Sequence, residues 1–127
     1  MKYIKIIILS ILFLSVHALE ARSFNMDKRW DKTIEATNLQ LPKKLDKTMT
    51  LEKMSRIDNT IQYFYKLSYT TKSPNMDSLI ISTRNNYCKN PQTRAAMFDG
   101  YRFYYNYKLA TGMLDLEFFI SKKHCNE

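Results

Sequence analysis

The chain has 127 residues, with 20 Lys or Arg against 12 Asp or Glu and a formal net charge of +8. This length is enough for one small domain and excludes a multidomain architecture. Only two glycines are present, which argues against an active site built from elaborate loops, and the positive charge favours acidic partners or anionic surfaces.

The N-terminus has the pattern of a signal peptide. Lys2 and Lys5 precede an apolar run over residues 6–16, which is too short to cross a bilayer as a helix. Small residues favour cleavage after Ala18, or else after Ala21. Because no cysteine lies near this junction, the sequence predicts neither a lipid anchor nor a transmembrane anchor.

Cleavage divides the chain into a signal peptide (1–18), a flexible N-terminus (19–25) and a single α+β domain (26–127). We expect a periplasmic monomer, with secretion as the alternative location. Within the domain, apolar residues spaced three or four apart predict a polar helix from Met26 that Pro42 ends.

Residues 48–57 and 61–69 follow with the two-residue period of a β-hairpin around Asp58, Asn59 and Thr60. The predicted register pairs Ile57 with Ile61 and Leu51 with Leu67.

Residues 76–87 have helical spacing, although Leu79, Ile80 and Ile81 leave a strand open as an alternative. The two ends of a second helix, over residues 92–99, are marked more clearly in the sequence. Asn90 is its expected N-cap, Pro91 its first residue and Gly100 its left-handed stop.

A second hairpin is predicted by alternating apolar residues from Tyr101 to Leu109 and from Leu114 to Ile120. Its register places Tyr104 opposite Phe119 and Lys108 opposite Asp115. The predicted fold class is therefore α+β, with a four-stranded antiparallel sheet from two β-hairpins, an N-terminal helix, inserted helices and one disulfide. Two cysteines in an exported chain favour that bridge, between Cys88 and Cys125.

Several short motifs resemble those of the β-class pilotins of type II secretion systems. They are Leu41-Pro42, Tyr87-Cys88-Lys89-Asn90-Pro91, Gly100-Tyr101 and His124-Cys125, and the similarity covers residues 37–125. The resemblance implies that Cys88 and Cys125 occupy the family's disulfide positions, and that the chain is an exported module gripping a segment of a partner protein. Such pilotins are lipoproteins, so the missing lipidation cysteine is a departure, and delivery to a membrane by an anchor of its own is not implied.

The residue types in the sequence predict a protein without enzymatic activity, cofactor or metal. His124 is the one histidine after the leader, and a disulfide leaves no free thiolate for a nucleophilic site. Asp115 and Glu117 on one strand face are the alternative acid–base pair, although Lys108 is a ready partner for Asp115. Rings and bases over residues 101–108 also fit a nucleic-acid platform, but strand alternation explains them more simply and no nucleic acid is expected.

Exposed rings bordered by charge are typical of protein-binding surfaces. The candidate partner-binding residues are Phe64, Lys66, Arg102, Tyr104, Lys108 and Phe119, and the alternative is that a helix covers this face as core. We predict an exported accessory of a secretion or pilus apparatus, whose partner is an envelope protein, such as a secretin or pilus component, with an acidic or amphipathic segment. The alternative function is a periplasmic inhibitor or immunity protein against a toxin or lysozyme-like enzyme.

Overall fold

The computed structural model describes residues 25–72 and 76–125. The predicted signal peptide and most of the flexible N-terminus lie outside these ranges, whereas Asn25 already belongs to the first helix. In chain order the elements are α1 (25–38), β1 (Lys43–Lys44), β2 (Met49–Ile57), β3 (Thr60–Leu67), α2 (Asp77–Lys89), α3 (Pro91–Phe98), β4 (Arg102–Lys108), β5 (Leu114–Ile120) and a 3-10 turn (Lys122–His124). Among the described residues, no helix has both the length and the apolar character needed to cross a membrane.

The five strands form one mixed sheet in the order β1-β2-β3-β4-β5. The α+β class and the two hairpins are confirmed, but the predicted four-stranded, fully antiparallel sheet is wrong on both counts. β3 and β4 are parallel, from Thr60 opposite Arg102 to Lys66 opposite Lys108. The helical segment between these strands returns the chain to the end of the sheet where β3 began, and a crossover of this kind makes the two strands parallel. The fifth strand, β1, has two residues, too few for an alternating pattern to reveal it.

Both hairpins contain irregular registers that local alternation does not reveal. In the first hairpin, Ile57 pairs with Thr60 across a tight turn in which Asp58 has a positive φ of 52°. A register shift between Leu51 and Lys53 then places Leu51 opposite Tyr65, so the predicted pairings in this hairpin are wrong.

The second hairpin follows the predicted register along most of its length. Tyr104 lies opposite Phe119 as expected, but a bulge near the turn pairs Lys108 with Leu114. Asp115 consequently does not face Lys108, and its side chain is buried. The predicted Lys108–Asp115 pair is therefore wrong, because the extra residue of a bulge shifts the partners on one side of it.

The core lies between the helices and one face of the sheet, which we call the inner face. Ile61, Phe103 and Ile120 form a row across three strands and are completely buried. The Trp30 ring of α1 lies 5.5 Å from the Phe103 ring, and the Tyr87 ring of α2 lies 4.7 Å from it. Helices α1 and α2 therefore pack on the same face of the sheet.

The local signals around α3 are confirmed. Asn90 accepts hydrogen bonds from the amides of Gln92 and Thr93, Pro91 begins the helix, and Gly100 has a φ of 102°. Residues 77–89 are helical, so the helix prediction is confirmed and the alternative of a strand over Leu79 to Ile81 is wrong. The Sγ atoms of Cys88 and Cys125 are bonded, with 5.4 Å between the Cα atoms, so the end of α2 is tied to the residue that follows the 3-10 turn.

Candidate partner-binding face

The other face of the sheet, which we call the outer face, has no described helix packed on it. The ring contacts of α1 and α2 are all with inner-face residues, and α2 reaches only the edge, where Arg84 donates two hydrogen bonds to the carbonyl of Phe119. Within the described part of the chain, the alternative of a helix-covered outer face is therefore wrong. The six candidate residues all project from this face, and we call them the cationic–aromatic patch: Phe64, Lys66, Arg102, Tyr104, Lys108 and Phe119.

The rings of the patch form a connected group. Tyr104 lies in the middle, with its ring centroid 6.2 Å from Phe64 and 5.0 Å from Phe119. The guanidinium carbon of Arg102 lies 4.9 Å from the centre of the Phe119 ring, within the range of a cation–π contact. Phe119 remains 40% exposed, so the group has an accessible apolar surface at the β5 edge.

Polar contacts hold the central ring in place. The Tyr104 hydroxyl donates to the Glu117 carboxylate and accepts a hydrogen bond of 3.0 Å from the Asn106 side-chain amide. Burial and the nearby Glu117 raise the pKa of Tyr104, so it stays a neutral donor at physiological pH. Asn106 is itself buried, which makes the floor of the patch a fixed polar and aromatic surface.

The two lysines of the patch form the next outer-face pair along β3 and β4 after Phe64 and Asn106. Lys66 and Lys108 are directly opposite each other on the parallel strands β3 and β4, and both are exposed. Neither lysine nor Arg102 forms an ion pair with another described residue. The three cations are therefore available to a ligand.

Three further residues belong to this face and were not among the predicted ones. Gln62 lines a groove together with Phe64, Tyr104 and Phe119, and strand alternation in β3 places it on the same face. The position of Glu117 on this face follows from the predicted register, which pairs Glu117 with Asn106. The Nζ atom of Lys53 lies 5.8 Å from the Phe64 ring centre. Neither strand alternation nor the predicted register places Lys53 there, because the bulge in β2 moves it opposite Phe64.

The two carboxylates of the predicted acid–base pair differ in exposure. Asp115 is buried, whereas the Glu117 carboxylate is exposed and accepts a hydrogen bond from the Tyr104 hydroxyl. No cluster of three or more His, Cys, Asp or Glu side chains suited to a metal ion occurs in residues 25–72 and 76–125.

Comparison of the fold with known structures identifies three similar proteins. The Vibrio vulnificus type 2 secretion pilotin EpsS has a TM-score of 0.63 at 14% identity, covering 76% of this chain and 87% of its own. The Vibrio cholerae type II secretion pilotin AspS has a TM-score of 0.64 at 13% identity, covering 85% and 99%. A Pseudomonas aeruginosa protein described as secreted has a TM-score of 0.68 at 13% identity, covering 82% and 96%.

No family model matches the sequence, and no curated protein matches it significantly. The protein thus has the fold of the type II secretion pilotins, as the sequence motifs predicted, and at these identities the likeness concerns the fold alone.

Proposed function

We propose that this protein is an exported, non-enzymatic accessory of a secretion or pilus apparatus. It binds an acidic or amphipathic segment of an envelope protein through the cationic–aromatic patch. The pilotin fold supports the setting, and the signal-peptide pattern of residues 1–18 supports export to the periplasm.

The observation that carries the binding role is an outer face on which no described helix packs. Its three rings offer apolar area to a partner's side chains, and Arg102, Lys66 and Lys108 add positive charges that form no ion pair with a described residue. Aromatic and arginine side chains dominate binding energy at protein interfaces, and complementary charge speeds the encounter with an acidic partner.

A comparative capture experiment tests the proposal. The exported protein is used as bait in envelope extracts, beside a variant that carries Arg102→Glu and Phe119→Ala. Both changes lie at exposed positions of the patch, so the variant is expected to fold normally. We expect the unmodified bait to enrich a secretin or pilus component and the variant to lose it by about tenfold or more, since two anchor residues are removed.

The matched control is Lys32→Glu, which changes the charge equally on the exposed side of α1. This control is expected to capture the same component as the unmodified protein. Equal capture by all three baits, or enrichment of no secretion or pilus component, would contradict the proposal.

A further inference from the structure

One row of the sheet is unusually rich in lysine. Successive pairings across all five strands join Lys44 of β1, Thr50 of β2, Lys66 of β3, Lys108 of β4 and Leu114 of β5. Directly paired residues project from the same face, so these side chains form a single line. We call this line the lysine rung, and at about 4.8 Å per strand it is about 19 Å long.

The lysine rung concentrates positive charge. All three lysines are exposed, and no ion pair joins any of them to a described residue. Lys66 and Lys108 are direct neighbours, an arrangement in which like charges repel each other. Bound anions would relieve this repulsion.

Three described carboxylates lie near the lysine rung: Asp46 in the β1–β2 turn, Glu52 in the β2 bulge and the buried Asp115 beside Leu114. Asp46 accepts hydrogen bonds from the amides of Thr48 and Met49 and from the Thr48 hydroxyl, which lower its pKa and fix it within the β1–β2 turn, and the charge of Lys44 adds to this lowering. Glu52 is exposed in the β2 bulge, one row inward from the rung. Lys43 and Lys47 add further exposed charge close to Lys44.

An apolar tip lies at the β5 end of the lysine rung. Met113 is 68% exposed and Leu114 is 46% exposed, although both are large hydrophobic side chains. They follow a turn that is fixed by a hydrogen bond from the Gly112 amide to the Leu109 carbonyl, and the φ of 90° at Gly112 lets the chain reverse there. The β4–β5 turn therefore presents two aliphatic side chains beside Lys108.

We infer that this end of the sheet docks on an anionic phospholipid surface. The lysines of the rung contact headgroup phosphates, while Met113 and Leu114 enter the boundary between headgroups and acyl chains. Charge spread along a line of about 19 Å, ending in a protruding apolar tip, matches a plane of repeated phosphates better than it matches one acidic peptide group. The lysine rung shares Lys66 and Lys108 with the cationic–aromatic patch, but the inference does not depend on the proposed function.

Vesicle sedimentation tests the inference. The exported protein is mixed with phosphatidylcholine vesicles that contain or lack about 30% phosphatidylglycerol, an anionic lipid. We expect sedimentation only with the anionic vesicles and release by salt, because screening weakens attraction to the charged surface. Replacing Lys44, Lys66 and Lys108 with Gln should lower binding by about a hundredfold, or about fivefold for each lysine.

The control variant replaces three exposed lysines elsewhere, Lys32, Lys89 and Lys122, with Gln, so that its net charge is equal. It is expected to bind anionic vesicles like the unmodified protein. A Met113→Trp variant adds a direct reading of insertion, because its fluorescence should shift to shorter wavelength when anionic vesicles are added. Thermal unfolding confirms that each variant is folded.

A further variant separates this inference from the proposed function. Lys44→Gln combined with Met113→Ser and Leu114→Ser leaves the cationic–aromatic patch intact, so it should lose vesicle binding and keep capture of the envelope protein. Absence of sedimentation with anionic vesicles, or equal binding by the rung variant and its control, would overturn the inference. If the unmodified protein captured the envelope protein but did not bind anionic vesicles, the lysine rung would be assigned to an acidic protein and the inference would be overturned as well.

Discussion

Asn38 holds the end of α1 against the sheet through both polar atoms of its side chain. Its amide donates to the Met54 carbonyl at 2.9 Å and its oxygen accepts from the Met54 amide at 3.0 Å. The side chain thus pairs with β2 beyond the Lys43 end of β1, where that two-residue strand begins. Arg56 supplements this contact with two hydrogen bonds to the Asp31 carboxylate of α1.

Replacing Asn38 should therefore weaken the domain. Asn38→Ala is expected to lower the free energy of unfolding by about 1–2 kcal/mol, because two backbone groups of β2 lose their partners. Asn38→Asp keeps the acceptor but loses the donor, so it should also be destabilising. Urea unfolding measures both, with Asn85→Ala on the exposed side of α2 as the control. Equal stability of the Asn38 and Asn85 variants would show that the contact contributes little.

His124 makes stability depend on pH near neutrality. Burial, with help from the positive charges of Arg84 and Lys123, lowers the pKa of His124 below 6.5. As the pH falls, His124 is therefore protonated in the unfolded chain before it is protonated in the folded protein. The stability that His124 contributes is fully present above pH 6.5 and is lost as the pH drops through the pKa of the folded state. In the folded protein the ring nitrogen Nδ1 accepts from the Ser121 amide at 3.0 Å.

We expect the urea midpoint to decrease between pH 7.5 and pH 5, and to decrease less in a His124→Asn variant. Asn is chosen because its side-chain oxygen can accept the same hydrogen bond without titrating. The same pH dependence in both proteins would contradict the assignment to His124.

At the scale of elements, the inner face of β3 and β4 is a layer of stacked tyrosines. Tyr63 and Tyr105 lie 4.8 Å apart and Tyr65 and Tyr107 lie 4.9 Å apart, with nearly parallel rings. Tyr87 of α2 closes the layer through a hydrogen bond between its hydroxyl and that of Tyr105. Burial raises the pKa of each of these five hydroxyls above the range in which tyrosine ordinarily titrates.

Alkaline titration at the tyrosinate absorption band should reveal this layer. In the native protein the five tyrosines are expected to stay neutral near pH 10, whereas in guanidinium the same groups should ionise there. Because their pKa values are raised on folding, the stability they contribute is present below pH 10 and is lost as the pH rises above it. Full ionisation of the native protein near pH 10 would contradict the buried layer.

The disulfide is the covalent link between α2 and the C-terminal turn. Replacing both Cys88 and Cys125 with Ser should lower the free energy of unfolding by about 3–4 kcal/mol, since the bridge closes a loop of 37 residues in the unfolded chain. Denaturant unfolding of the oxidised and doubly substituted proteins measures the difference. A difference under about 1 kcal/mol would mean that helix and turn pack equally well without the bridge.

The elements that sequence predicted correctly are those fixed by neighbouring residues. Asn90, Pro91 and Gly100 set α3 through a cap, a first residue and a left-handed stop, all within one short segment. The Tyr104–Phe119 pair followed from alternation around a short turn. These signals act over a few positions, so one sequence is enough to read them.

The errors arise where distant segments decide the structure. No local residue determines that β4 lies parallel to β3, because that pairing depends on how the helical crossover packs. The bulges near Leu51 and Lys108 likewise depend on packing across strands. The six predicted patch residues nevertheless share one face, since alternation alone fixes the side from which each one projects.

In the molecule as a whole, the two faces of the sheet have different roles. Its inner face is covered by helices and holds the core, while its outer face presents rings and cations that form no ion pair with a described residue. We propose that the outer face receives a segment of an envelope protein of a secretion or pilus apparatus.

Photo-crosslinking in living cells tests whether the outer face makes this contact. A photoreactive phenylalanine analogue is placed at Phe119 in the cationic–aromatic patch, and in a second strain at Glu35 on the exposed side of α1. We expect irradiation to yield an adduct with a secretin or pilus component from position 119 and none from position 35. No such adduct from position 119, or the same adducts from both positions, would contradict the assignment of the outer face.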